Sequence, residues 1–202
     1  MKKFELTSET KIDVFGKKLF RIKALISFGC VKAGETGGWV EKEENLSQSG
    51  DAWVYDNAEV CDNAKVCGNA EVCGDALVYG NAKVYGNAEV CDNAKVCGNA
   101  KVCGNAKVCG DALVYGNAWV CGIAKVCGNA DYTTIHGFGT QFRTTTFFRC
   151  KDKAVRVSCG CFFGTISEFR EQVKKTRSGK IAEEYLAIAD LMEKHFEKEE
   201  NQ

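Results

Sequence analysis

Hydrophobic and polar positions alternate along this chain under a strict outer period of six. From Gly50 to Cys127 the phrase Gly/Asp-Asn/Asp-Ala-x-Val-Cys/Tyr repeats as thirteen consecutive hexads without an insertion. Within each hexad the period-2 alternation sends Ala and Val to one side of a short strand and the x and Cys/Tyr positions to the other. A two-residue corner of Gly/Asp and Asn/Asp follows. A unit this short cannot bury an apolar face alone, so copies must stack and share one core. Three strand-plus-corner sides, one hexad each, make a triangular coil, and successive coils stack as parallel strands about 4.8 Å apart.

The corners fit this geometry. Asn and Gly tolerate positive φ, so Asn57, Asn63, Asn69 and Asn81 are expected in the left-handed region, stacked into an amide ladder. The phase extends backwards in steps of six from Ala52 to Leu46 and Val40 and forwards to Ala130, which gives about five coils. Ala and Val fill the lumen, and each inward Val contributes about 1.5–3 kcal/mol on burial.

Outside the repeats the pattern changes, and solenoid ends need covers. Around Phe15-Gly-Lys-Lys18 the chain reads as strands that offer Leu19, Phe20, Ile22, Leu25 and Ile26 as a plug. Beyond Ala130 two β-rich runs, Gln141–Cys150 and Ala154–Phe163, predict a hairpin over the other end. Thr165-Ile-Ser-Glu168 predicts a capping box, followed by a helix with Ile166, Phe169 and Val173 on one face. Ser178-Gly179 stops it, and a second helix begins near Ile181 with Ile181, Tyr185, Ile188, Ala189, Met192 and Phe196 on its apolar stripe. The expected division is a β cap over 1–37, the solenoid over 38–133 and an αβ cap over 134–202.

Val-Cys/Tyr-Gly-Asn-Ala-x resembles the hexapeptide repeat of left-handed parallel β-helix proteins, the family that includes acyltransferases. The resemblance implies the left-handed sense, which the period alone does not give, and CoA-dependent acyl transfer as one candidate activity. The segment Val31–Val40 with Leu46–Tyr55 is similar to the entry segment of hexapeptide proteins described only as transferase-like. Val157–Phe169 with Tyr185-Leu186 is similar to the tail of uncharacterised phage and prophage-borne bacterial proteins, which implies a host cytoplasm as the setting.

Composition narrows the function classes. Lys+Arg and Asp+Glu both number 27, so the formal net charge is zero and global attraction to nucleic acid or an anionic membrane is not expected. No apolar run approaches the roughly 18 residues that cross a bilayer, and the expectation is a cytoplasmic protein. There are 13 Cys, an odd count, with nine in one slot of the repeat, so they read as reduced, unbridged thiols. Pro is absent, as continuous ladders require.

Candidate chemistry lies outside the lumen. Leu77, Tyr79, Lys95, Leu113 and Tyr115 share one outer face, too apolar for open solvent, and predict a homo-oligomer, dimer or trimer. Lys65, Lys83 and Lys101 in register, followed by Trp119, form a candidate anion stripe. Cys150, Cys159 and Cys161 with His136 are candidate metal ligands, although their spacing is not that of a standard zinc site. Residues 50–127 contain no His, and the two histidines are His136 and His195; an acyltransferase general base is most often a His. The expectation is therefore a non-catalytic scaffold or binding protein without a cofactor, sequestering a host protein or a small anionic ligand. Acyl transfer and thiol-based metal binding remain as alternatives.

Overall fold

The structure, a computed structural model, describes residues 1–197. Three strands open the chain: β1 (Phe4–Ile12), β2 (Lys18–Ala24) and β3 (Thr36–Val40). Thirteen two-residue strands follow, from β4 (Trp53–Val54) to β16 (Lys125–Val126), one per hexad. Each of β4 to β13 pairs in parallel with the strand three hexads on, as Lys83 does with Lys101 and Glu89 with Lys107. The result is a parallel β-solenoid of about five turns with three walls. Among the described residues no helix is long and apolar enough to cross a membrane.

The lumen is the predicted one. Every Val of the hexads is at most 1% exposed, and so is every Ala at the position two residues before it. In the ladder each outward residue's N–H donates to the carbonyl just before its rung partner, for example Lys83 N to Ala100 O at 2.9 Å and Tyr85 N to Val102 O at 3.0 Å. Outward asparagines stack as amide ladders, Asn63 to Asn81 to Asn99 to Asn117 and Asn69 to Asn87 to Asn105, at 3.0–3.2 Å.

The corner differs from expectation in one respect. Positive φ falls on the first corner residue, not on Asn: Gly98 stands at 67° and Gly104 at 71°. A Cβ on Gly98 would lie 3.0 Å from the nitrogen of Gly116 one coil on, so tight stacking adds to the conformational demand for Gly. Where Asp takes the slot, at Asp56, Asp62 and Asp92, its carboxylate accepts the N–H of Gly74, Gly80 or Gly110 in the next coil at 2.9–3.1 Å.

The backward extension of the phase slips by two residues. Val40 pairs with Val60 and Leu46 bridges Val66, each pair two positions farther apart than a coil, so Leu46 stands in the Val slot and not the Ala slot. The two extra residues fall between Leu46 and Trp53, and they serve a purpose. Gln48 accepts from the N–H of Lys3 and Phe4 and donates to Phe4 O, pinning the start of β1 to the first coil. Forward extension stops at Cys127. Ala130 is exposed within a 3₁₀ turn, Asn129–Asp131, because the Asp131 carboxylate accepts from the N–H of Cys127 and Gly128 and turns the chain.

Both ends are covered. At the first coil Phe4, Ile22, Ala24 and Val31 join the luminal core, whereas Leu25 of the expected plug is 41% exposed. At the last coil the cap is a four-stranded antiparallel sheet and not a lone hairpin: β17 (Tyr132–Phe138), β18 (Arg143–Arg149), β19 (Val155–Cys159) and β20 (Phe162–Thr165). Tyr132, Phe148 and Cys150 face the lumen. Phe147 and Val157 face the other way, onto α1 (Ile166–Thr176) and α2 (Gly179–Phe196). The capping box at Thr165 and Glu168 is formed, and the buried stripes of both helices match the predicted ones except that Ile181 is only half-buried.

Candidate functional site

The three walls share one interior but carry different exteriors. On the lysine wall, Lys65, Lys83, Lys101 and Trp119 stand in consecutive rungs, as expected. All three lysines are exposed, and among the described residues none forms an ion pair. Stacked like charges at rung spacing repel one another, so the column favours an anion that neutralises them. Lys101 lies over the Trp119 ring, 5.4 Å from its centroid.

The adjacent outward column of this wall is Cys67, Tyr85, Cys103 and Cys121. The Trp119 indole N–H donates to Cys103 Sγ at 3.1 Å. A hydrogen bond from the Cys121 thiol, joined by the Tyr85 hydroxyl and the indole and opposed by burial, pulls the Cys103 thiol down to about 6; the Lys101 ammonium acts in the same direction. Cys121 and Tyr85 are pushed up in turn, Cys121 chiefly by its bond to Cys103 and Tyr85 chiefly by burial. The wall thus sets a buried thiol, whose ionisation its neighbours favour, beside a row of ammonium groups.

Above Trp119 the C-terminal sheet closes over the wall. Trp119 N–H, which has no further coil to bond, donates to Thr146 Oγ1 at 3.0 Å. The seam leaves a cavity of about 360 Å³ lined by Asn117, Trp119, His136, Arg143, Thr144 and Ser158 among others. His136 projects from β17, exposed, and its Nδ1 shares a hydrogen bond of 3.2 Å with Thr144 Oγ1. The structure therefore brings His136 to the end of the lysine column, a juxtaposition that the sequence spacing does not display.

Other expected groupings are not assembled. Cys150, Cys159, Cys161 and His136 do not converge into a ligand set among the described residues. Cys150 is buried against the solenoid core, Cys159 packs on the helical side of the same sheet and accepts from Thr145, and Cys161 is exposed in the β19–β20 turn. Opposite faces of one sheet cannot share an ion. His195 lies exposed on α2 against Phe196.

The apolar stripe on the leucine wall is only partly open. Leu77 is buried, at 8% exposure, and Tyr79 is half-buried beneath the chain's own β1–β2 hairpin, whose Phe15 stacks on it at 5.3 Å while Leu19 packs with Trp39 and Cys61 beside it. Lys11–Glu59 at 2.7 Å and Lys17–Asp62 fasten the hairpin down. Lys95, exposed, and Leu113, half-buried, follow, and Tyr115 is 59% exposed. Leu113 and Tyr115 line a second cavity of about 410 Å³ with Asn129 and Tyr132–Thr134.

On the third wall, the thiol wall, the expectation of unbridged sulfurs fails at one rung. Cys109 and Cys127 are joined by a disulfide across a Cα–Cα distance of 4.4 Å. Rung spacing brings consecutive thiols of one column within the disulfide range. The other eleven cysteines are free.

Comparison with known proteins places the repeat but not the caps. A family model described as the YdcK beta solenoid repeat matches residues 106–122, about one coil. The chain is similar to a protein of Escherichia coli (strain K12) named "Uncharacterized acetyltransferase YdcK", at 36% identity over 63 residues, which cover 28% of this chain and 19% of that protein. The chain thus spans about a fifth of the length of the curated relative it matches. Both findings fit a transferase-like β-helix protein.

Proposed function

We propose that the lysine wall and the cavity at its end bind a phosphorylated acyl donor of the coenzyme A type, with His136 as the general base for acyl transfer. The observation that carries this reading is the unbroken line from Lys65, Lys83 and Lys101 through Trp119 to His136. Ammonium groups at rung spacing suit the phosphates of an extended donor, and the indole face suits a flat or aliphatic segment. The similarity to a protein named as an acetyltransferase supports the same class.

The chemistry follows from the ring. Thr144 engages Nδ1, and among the described residues no hydrogen bond engages Nε2, which leaves that nitrogen to take a proton from an acceptor amine or hydroxyl. The acceptor atom attacks the thioester carbonyl, the C–S bond breaks, and the imidazolium returns its proton to the departing thiolate. In place of a loop interrupting the coil, the cap's own strand supplies the histidine.

Acetyl-CoA titration calorimetry combined with a thiol-release assay tests both halves. The wild-type chain binds and turns over; Lys83→Ala with Lys101→Ala weakens binding; His136→Ala keeps binding and loses roughly 10²–10⁴-fold in turnover. A wild-type chain that does not bind acetyl-CoA refutes the reading.

A second reading, a non-catalytic binding scaffold, is favoured by the open end of the leucine wall. Leu113 and Tyr115 flank a cavity and leave apolar surface in solvent. On that reading the partner is a second copy of the chain, in a dimer or trimer, ahead of a host protein. Leu113→Glu with Tyr115→Glu then yields a monomer by light scattering, and a mass that is the same before and after substitution removes the interface.

A further inference from the structure

The thiol wall carries a second constellation that does not depend on the acyl-transfer reading. Its outward columns run Cys73, Cys91, Cys109, Cys127 and, beside them, Glu71, Glu89, Lys107, Lys125, one residue of each per coil. The sulfurs of Cys73 and Cys91 and a carboxylate oxygen of Glu89 lie within 4.8 Å of one another, and among the described residues no other set of His, Cys, Asp and Glu converges in this way. Cys91 is buried, while Cys73 and Glu89 are half-buried. The site already attracts a cation: the Lys107 ammonium reaches in and bonds Glu89 at 2.6 Å.

The donor set selects among ions. Two thiolates and one carboxylate are too soft for Mg²⁺ or Ca²⁺, which take oxygen ligands, and match Zn²⁺. Zinc ligands at about 2.0–2.3 Å from the ion in tetrahedral geometry lie about 3.3–3.8 Å apart. All three side chains project from rungs fixed by the backbone ladder, so the remaining difference falls to side-chain rotation. Cys109, the next rung, is held in its bridge to Cys127 and stays outside the set.

We propose that Cys73, Cys91 and Glu89 form a three-ligand site for a thiophilic divalent cation, Zn²⁺, with water completing the tetrahedron and Lys107 swinging out to admit it. Lys107 is then a positioned competitor, holding the site closed at low metal and lowering its affinity. No contiguous motif marks the site in the chain, since Cys73 lies a full coil before Glu89 and Cys91 and meets them only because the walls recur every third hexad.

The test uses the full chain stripped of metal with a chelator and titrated with Co²⁺ as a spectroscopic probe, then with Zn²⁺ in competition. One Co²⁺ binds per chain with a sulfur-to-cobalt charge-transfer band, and Zn²⁺ displaces it. Cys73→Ser with Cys91→Ser abolishes the band, whereas Cys150→Ser with Cys159→Ser retains it. Lys107→Gln tightens Zn²⁺ binding by roughly five- to tenfold, the effect of removing one charge at the edge of a solvated site. Should the double serine variant melt early, Glu89→Gln carries the same test through a loss of at least about tenfold in affinity, the scale of a lost charge-assisted ligand. The proposal is overturned if the wild type shows no charge-transfer band, if the band survives loss of both thiols, or if Lys107→Gln weakens binding.

Discussion

The lumen and the outer surface of the solenoid are built from alternate residues of the same hexad, yet they behave as two different molecules. Inside, all three walls are interchangeable: Val84, Val90 and Val96 lie on three separate walls and are each wholly buried. Outside, one wall bears lysines, one thiols, and one leucine and tyrosine. Within each strand the core asks only for Ala and Val in register, so the outward strand slots that no cap or hairpin covers are free to vary from wall to wall. Core positions and variable surface positions are therefore separated at single-residue resolution. The largest expected effect tests that separation directly. Val96→Asp places an unpaired carboxylate in the lumen and destabilises by more than about 5 kcal/mol, enough to abolish folding. Lys95→Asp, next to it and exposed, shifts the melting temperature hardly at all. Equal melting curves for the two would undo the assignment of inside and outside.

The ends sharpen the comparison, because there the outward and inward roles mix. Phe4 is wholly buried at the first coil and Phe148 at the last, and each closes a lumen that would otherwise open on water. Phe→Ala at either position leaves a cavity and destabilises by about 3–5 kcal/mol. Thermal melting of the two single variants checks this, and a shift below about 1 kcal/mol at both would mean that the coils stand without caps.

What is legible in the chain follows the same boundary. The thirteen hexads specify each of their own rungs, and the helical cap is readable from the Thr165 capping box and the stripe through Tyr185, Ile188 and Met192. The two-residue slip before Trp53 is not readable, since its signal is a single Gln48 whose side chain replaces ladder contacts to β1. Trp53 occupies an outward slot but is wholly buried, because Phe28 stacks edge-on at 5.4 Å and Gly37 leaves room for its ring. Leu77 and Tyr79 read as open for the same reason: periodicity says which side a residue takes, not whether a distant hairpin folds over that side. The His136 cavity is likewise a product of the seam between the last coil and the cap. At that seam Asn129 Oδ1 accepts Leu113 N–H at 2.8 Å, taking the place of the carbonyl that a further coil would have offered.

Between the walls and the lumen lies Cys103, outward in the repeat but only 8% exposed. Its thiol is pulled down to about 6 by Cys121, Tyr85 and Trp119 together with Lys101, against the effect of burial, so the prediction is a thiolate that forms as pH climbs through that value and dominates at neutral pH. An ordinary thiol, with a pKa of about 8.5, is only a few per cent ionised there. Mass-mapped alkylation of Cys103 against pH should show its half-maximum at that same value of about 6, with a slow absolute rate set by burial. Trp119→Phe deletes one donor and moves the midpoint upward by about half a unit to one unit. A wild-type midpoint in the range of an ordinary thiol would show that the outward column holds neutral sulfur.

The smallest effect concerns the corner, where inside and outside meet. Asp92 holds a φ of 60° in a slot that most coils give to Gly, and its exposed carboxylate accepts the N–H of Gly110 at 2.9 Å. The left-handed conformation costs a non-glycine residue about 1–2 kcal/mol, and a solvent-exposed hydrogen bond to a carboxylate offsets about as much. Asp92→Gly removes both terms and leaves stability within about 1 kcal/mol of wild type. Asp92→Ala keeps the strain and loses the bond, so it destabilises by about 1–2 kcal/mol. Denaturant midpoints of the two variants decide whether Asp is tolerated at this corner because its carboxylate bonds the next coil. If Asp92→Ala matches the wild type, the carboxylate contributes nothing, and Asp62 and Asp56 occupy their glycine slots without compensation.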